Sequence, residues 1–234
     1  MKENYIKTPY IFNTSIFIDP VCYTIGGSFS ENEVWGKELI EETFEILKTI
    51  DSPFFIDIGA NLGAFTLLAL FKSDLKVLAF EPFNKVADIL EELIEFNKLK
   101  DSVEIQRTAL SNYIGEAKLK CCYNHSGMST LGPSFNLLPY IEEEVQVTTL
   151  DEFCKTSSIT KIDFIKIDIE GSELFMLEGA KHTIKKFRPV ILIETARKRT
   201  DYFNYIPDKI IECLKSFGYN KFETRKTDTL AQIE

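Results

Sequence analysis

The chain is poor in the features that disclose a function early. Its 234 residues contain two histidines, one tryptophan and five cysteines. The cysteines (Cys22, Cys121, Cys122, Cys154, Cys213) show no C-x-x-C spacing. With only His125 and His182 to join them they make a poor zinc set, so no metal site is expected. Their odd number leaves at least one unpaired within the chain, and reduced thiols in a cytoplasmic protein are the simplest account. No run approaches the ~20 apolar residues of a membrane span. The N-terminus, Met1-Lys-Glu-Asn-Tyr5, lacks the apolar core of a signal peptide. Positive charge is also short. A net charge of −9 argues against a nucleic-acid partner, because a phosphate backbone rewards a basic surface. The local exceptions are Lys181, Lys185, Lys186 and Arg188, and then Arg197, Lys198 and Arg199. Low-complexity tracts, internal repeats and a clear linker are missing too, which leaves one α/β domain as the economical reading.

What is present is a rhythm. Residues 1–50 read as an N-terminal lid or helical segment ahead of a main domain at 51–234. Within them Trp35, Leu39, Ile40, Phe44 and Leu47 recur at helical spacing, predicting an amphipathic helix over 31–50. A buried strand is then expected at 54–58, a buried helix at 62–71 and a strand at 75–80. Next come a helix at 84–99 capped by Asn84, and a third strand at 103–110. Strands separated by helices of this length indicate βαβ units and a parallel sheet. The rhythm breaks over 116–149, where two strands flank a turn-rich loop containing His125 and Met128, a length that is usually functional. It resumes with a strand at 162–169, a helix at 172–187, a strand at 190–194, a helix at 207–217 and a last strand near 219–223.

In open parallel sheets the ligand lies beyond the carboxyl ends of the strands, so polar residues closing apolar strands mark the site. Here they are Asp57, Glu81, Asp168 with Glu170, and Glu194. The bland alternative is that each acid caps a neighbouring helix. The turn Asp57-Ile-Gly59-Ala60-Asn61-Leu-Gly63 permits close backbone approach to a ligand at Gly59 and close helix packing at Gly63. A dinucleotide turn, G-x-G-x-x-G, needs a glycine where alanine and asparagine stand here, so the spacing suits a cofactor without a pyrophosphate. Glu81 can take both hydroxyls of a ribose, which speaks for a nucleoside but does not separate NAD from adenosylmethionine. Lys166, two residues before Asp168, points to the same face of its strand, and pairing with an acid is the favoured account of it.

These residues resemble those of the FkbM-type methyltransferases, within the class I methyltransferases. The resemblance rests on four blocks: Phe55-Ile-Asp-Ile-Gly-Ala-Asn-Leu-Gly-Ala-Phe-Thr66, Ala79-Phe-Glu-Pro82, Ile162-Asp-Phe-Ile-Lys-Ile-Asp-Ile-Glu-Gly-Ser-Glu173 with Leu177-Glu-Gly-Ala180, and Arg188-Pro-Val-Ile-Leu-Ile-Glu194. It covers roughly residues 50–225. It implies an α/β, Rossmann-like sheet of seven mostly parallel strands with an antiparallel last strand, helices on both faces and a small β insertion after strand three. It further implies S-adenosyl-L-methionine as cofactor and O-methylation of a hydroxyl on a sugar, glycan or small natural product. By that resemblance Asp57, Gly59, Ala60, Asn61, Gly63 and Thr66 hold the methionine part, and Glu81 with Pro82 the ribose. Thr108 and Ala109 lie near the adenine at the end of strand three, and Asp168 faces the cofactor amine. The base that deprotonates the acceptor is sought among Asp168, Glu170, Glu194, His125 and, less favoured than its pairing with an acid, Lys166, with Met128, Phe135 and Tyr140 as a possible substrate wall. A nicotinamide-dependent oxidoreductase and a non-catalytic adenosylmethionine-binding protein are the alternatives. The chain runs out soon after Glu223, so its seventh strand is expected to be short or to comprise 229–233.

Overall fold

The computed structural model describes residues 6–11, 15–18, 34, 36–122, 125–133, 139–196 and 200–234. Cys22, Trp35, Phe135 and Arg197–Arg199 lie outside them. Strands β1 (Ile6–Pro9) and β2 (Ser15–Ile18) pair as an antiparallel hairpin, and α1 (Lys37–Leu47) follows. The chain then enters β3 (Phe54–Ile58), a 3-10 segment at Thr66–Leu70, β4 (Lys76–Phe80), α2 (Asn84–Phe96) and β5 (Val103–Gln106). Three strands form a separate small sheet: β6 (Thr108–Leu110), β7 (Gly115–Cys121) and β8 (Ile141–Thr148). After these come α3 (Leu150–Thr156), β9 (Phe164–Ile167), α4 (Glu173–Glu178), α5 (Lys181–Phe187) and β10 (Val190–Glu194). The chain closes with α6 (Asp208–Ser216), β11 (Lys221–Arg225) and β12 (Asp228–Gln232).

Seven strands make the main sheet in the order β11-β12-β10-β9-β3-β4-β5. Parallel pairing runs from β10 to β5, and β12 is antiparallel to both of its neighbours. Successive side chains of a strand point to opposite faces, and this splits the core in two. Phe55, Val77, Ala79, Phe164 and Leu192 pack with α1, α2 and the 3-10 segment. Ile56, Ile58, Leu78, Phe80, Ile165 and Ile167 pack with residues of α3 to α6. Tyr10 and Ile11 are buried in the first cluster, where the Tyr10 ring stacks on Phe71 and its hydroxyl donates to the Ala64 carbonyl. Arg225 on β11 binds Glu42 of α1 through two nitrogens, at 2.9 and 3.2 Å. Among the described residues no helix is long and apolar enough to cross a membrane.

The α/β architecture with its antiparallel last strand is as expected, and several local expectations are corrected. The helix expected at 62–71 is only the 3-10 segment at Thr66–Leu70, because Gly63 at φ 83° bars a right-handed helix from starting earlier. The third strand breaks at Arg107, whose guanidinium is drawn to Asp88 and Glu91 on α2 at 2.7 and 2.9 Å. Thr108 and Ala109 therefore belong to the small sheet and do not end strand three. Asn84 does not cap α2: its amide turns to Glu143, and the Phe83 N–H is taken by Glu81 at 2.9 Å. Helix α3, which the sequence reading passes over, starts at Thr149, whose hydroxyl accepts the Glu152 N–H at 3.0 Å.

The expected helix 172–187 is two helices, α4 and α5, broken at Gly179. The break lets the Gly179 carbonyl accept from the Asp151 N–H at 3.0 Å, while the Asp151 carboxylate accepts the His182 and Thr183 amides at 3.0 and 2.7 Å. A methyl group on Gly179 would overlap the Ser111 carbonyl. Gly179→Ala should therefore cost about 1–3 kcal/mol of stability, read as a lower urea midpoint; an unchanged midpoint would show that the Ser111 backbone yields freely.

Candidate functional site

The turn after β3 is shaped by its glycines. Gly59, at φ 76°, and Ala60 both donate their N–H groups to the Phe80 carbonyl at 3.0 Å, drawing the turn across the end of β4. A Cβ on Gly59 would overlap the Asp168 carbonyl, so a side chain there would push the ends of β3 and β9 apart. Asn61 follows at φ 49°, a conformation asparagine tolerates better than most residues. Its N–H donates to Glu81 Oε2 at 2.8 Å, and the Phe83 N–H donates to Oε1. The Glu81 carboxyl is thus fixed on both oxygens beside the turn. Burial pushes it up to about 7 despite those two amides.

Beneath the turn lies a buried charge cluster. Asp57 and Lys166 are register partners on β3 and β9, and alternation places both on the face of the 3-10 segment. Lys166 Nζ lies 3.4 Å from Asp168 Oδ2 and 3.8 Å from Asp57 Oδ1, donates to the Gly59 carbonyl at 3.1 Å and sits over the Phe65 ring. The Thr66 hydroxyl donates to Asp57 Oδ2 at 2.7 Å. Burial works against the lysine's charge, but Asp168 and Asp57 outweigh it and hold the ammonium above its ordinary value. Burial in turn raises Asp57, opposed by Lys166 and Thr66.

Past β9 the chain reverses through Glu170 at φ 56° and Gly171 at φ 103°. Across from it the turn-rich insertion forms a flap over residues 125–133. Ser126 donates to the Asn61 side chain at 2.7 Å, and Thr130 donates to the Glu170 carbonyl at 3.1 Å. Gly132 abuts the Phe203 ring so closely that a Cβ would overlap it. The flap is thereby pinned to both loops that flank the strand ends.

Together these segments enclose a cavity of about 330 Å³ at the carboxyl edge of β3, β4 and β9. Of the residues singled out from sequence, Gly59, Ala60, Asn61, Glu81, Pro82, Thr108, Ala109, Lys166, Asp168, Glu170 and His125 line it. Asp57, Gly63 and Thr66 do not, because they support the turn from below. Glu194 also stands off the wall: it ends β10, beyond β9, facing Asp228 across the β10–β12 ladder. Met128 lines the cavity, whereas Tyr140 is exposed beside Lys120. Sequence reasoning missed Phe65, Leu119, Ser126 and Thr130 on the wall. Alternation along β7 would have turned Leu119 inward; the flap residues carry no periodic signal. Lys181, Lys185 and Arg188 are exposed around α5, which leads into the start of β10 and so lies at the opposite edge of the sheet. No group of three or more His, Cys, Asp or Glu side chains among the described residues is placed to hold a metal ion.

A family model described as the methyltransferase FkbM domain matches residues 57–221, from the first acid of the turn to the start of β11. The chain belongs to the FkbM methyltransferase family. Among curated proteins it is 25% identical over 205 residues to methyltransferase sdnD of Sordaria araneosa, covering 76% of this chain and 79% of that protein. Among solved structures it resembles the methyltransferase FkbM of Methylobacillus flagellatus with a TM-score of 0.52 and 14% identity, over 78% of this chain and 44% of that one. It also resembles an O-methyltransferase of Bacillus cereus in complex with SAH, with a TM-score of 0.51 and 15% identity, over 91% and 86% of the two chains. At such identities the solved structures establish the fold. The FkbM match spans every residue that lines the cavity.

The buried carboxyls make a pH prediction for this FkbM-type domain. Burial lifts Glu81 and Glu173 from 4.5 to about 7, and Asp228 from 3.8 to about 6. For a raised carboxyl the stabilising contribution is full below the unfolded value and is lost as pH rises through the folded one. Between pH 4.5 and 7 each buried glutamate should lower stability with a slope of at most about 1.4 kcal/mol per pH unit. The urea midpoint of the ligand-free protein should therefore fall from pH 5 to pH 7.5, less steeply in Glu173→Gln; a rising midpoint would contradict the assignment.

Proposed function

We propose that this protein is an S-adenosylmethionine-dependent O-methyltransferase acting on a hydroxyl of a sugar, a glycan or a small natural product. The observation that carries the cofactor assignment is Glu81, held inside the cavity beside the glycine turn. Each of its oxygens accepts one backbone N–H and keeps a lone pair, so both remain able to receive a ribose hydroxyl. The rest of the wall suits the same ligand. Phe80, Ala109, Leu110 and Leu119 offer an apolar surface for a base, and Asp168 and Glu170 supply negative charge opposite a cationic cofactor. A volume of about 330 Å³ is within the usual range of small-molecule sites. The Bacillus cereus neighbour, of the same fold, carries S-adenosylhomocysteine, which supports the reading.

Adenosylmethionine supplies an activated methyl on a sulfonium, so the chain's task is to align an acceptor oxygen and remove its proton. Lys166 already engages Asp168 in an ion pair, so that carboxylate is assigned to facing the cationic cofactor. Glu170 and His125, which both line the cavity, are then the proposed bases. Glu194 would need the acceptor to extend past the end of β9. Net charge of −9 favours a small or glycan acceptor over a nucleic acid, and the acceptor's hydroxyl chemistry rests on the family resemblance.

Calorimetric titration with adenosylmethionine, adenosylhomocysteine and NAD tests the cofactor. Glu81→Ala should weaken adenosylhomocysteine binding about 10- to 100-fold; NAD binding in place of adenosylhomocysteine, or unchanged affinity in the variant, would overturn it. For the chemistry, Asp168→Asn should lower methyl transfer across a hydroxyl-acceptor panel at least about tenfold while leaving the fold intact by circular dichroism. Wild-type turnover would remove Asp168 from the site.

A further inference from the structure

The loop that brings Asp168 and Glu170 to the cavity is held by two side chains that do not line it, Glu173 and Tyr205. With Glu170 and Gly171 both at positive φ, the amides of Ile169 and Gly171 turn inward, where no strand or helix takes them up. Glu173, buried in the first turn of α4, receives both on Oε1, from Ile169 at 3.0 Å and from Gly171 at 3.1 Å. From the other side the Tyr205 hydroxyl donates to the Gly171 carbonyl at 2.8 Å and stands 3.3 Å from Glu173 Oε2. The tyrosine comes from the segment between β10 and α6, and its ring packs edge-on against Phe175 of α4. Both ends of the Ile169–Gly171 tripeptide are thus anchored, one to the helix that follows it and one to a segment more than thirty residues on.

We propose that Glu173 and Tyr205 are positioning residues that set the Asp168–Gly171 turn for cofactor binding. The proposal rests on the adenosylmethionine reading of the cavity. Asp168 and Glu170 are carried by this turn, so a shift of its backbone moves the two carboxylates that face a bound cation. Proton placement favours the arrangement. Burial raises the Glu173 carboxyl to about 7, so near neutrality a share of it carries a proton that can go to Tyr205 Oη. The tyrosine's own hydrogen is then left for the Gly171 carbonyl, and each donor is used once. A glutamine reproduces this pattern, its Oε1 accepting the two amides and its Nε2 donating to the tyrosine. An alanine leaves two buried N–H groups without an acceptor.

The test compares Tyr205→Phe, Glu173→Gln and Glu173→Ala by calorimetric adenosylmethionine binding and by amide hydrogen exchange of residues 168–172. Tyr205→Phe, which removes one hydroxyl and little volume, should raise exchange in that segment and weaken adenosylmethionine binding about tenfold each, with β3 amides unaffected. Glu173→Gln should stay within about threefold of wild type in both measurements, and Glu173→Ala, if it folds, should exceed Tyr205→Phe. Faster exchange with unchanged affinity in Tyr205→Phe would reduce the pair to a structural role and overturn the proposal. A glutamine variant as impaired as Tyr205→Phe would overturn it as well. A wild-type chain that binds no adenosylmethionine would instead overturn the reading of the cavity itself.

Discussion

The ammonium of Lys166 is buried in the middle of a parallel sheet, where an isolated charge would cost several kcal/mol. It survives there because Asp57, Asp168 and the Gly59 carbonyl surround it, and each of these belongs to a different part of the site. Asp57 ends the central strand, Gly59 begins the turn, and Asp168 leads into the reversal at Glu170. One side chain therefore sets the relative position of the two loops that flank the cavity. It also neutralises part of the repulsion that carboxylates at adjacent strand ends would otherwise suffer. Removing the cation would leave Asp57 and Asp168 facing each other in a low-dielectric setting, and the carboxyl edge of β3 and β9 would have to open or take up protons.

Above this cluster the cavity is assembled from segments far apart in the chain. The glycine turn and Glu81 form one wall, the small sheet supplies Thr108, Ala109 and Leu119, and the flap covers the mouth. The flap is fastened by the hydroxyls of Ser126 and Thr130, to Asn61 and Glu170, and by a backbone bridge between Thr130 and Lys120 of β7. The supporting layer differs: the glycine turn rests on Leu90, Leu67 and Thr66, and β3 and β9 meet through Phe55 and Phe164 at 5.6 Å. The wall of Glu81 and the glycine turn is thus backed directly by the apolar core.

The fold was legible where side-chain periodicity carried it. The alternation of β3, β4, β9 and β10 sorts their residues onto two faces, and that pattern is visible in the apolar runs themselves. It is not legible where a single contact ends an element. Arg107 leaves the sheet for the acids of α2, Gly179 breaks a helix to meet Ser111 and Asp151, and Gly63 delays a helix until little room remains. Helix α3 follows the same rule, because its start is set by one threonine hydroxyl and the segment is too short to show a helical period. Partners of this kind lie tens of residues away and leave no local trace.

The order of strands and helices, the acids at the strand ends and the glycines between them were determined by the sequence alone, because each follows from local sterics or from burial of one face of an element. Which acids share a cavity was decided only by the tertiary structure. Strand order puts Glu194 beyond β9 while bringing Glu81 and Asp168 to the same wall, and alternation turns Asp57 beneath the glycine turn, away from the ligand side. The roles of Glu173 and Tyr205 were likewise hidden. A glutamate in the first turn of a short helix reads as a favourable charge near its N-terminus, and only the reversal at Glu170 and Gly171 brings two backbone amides within its reach.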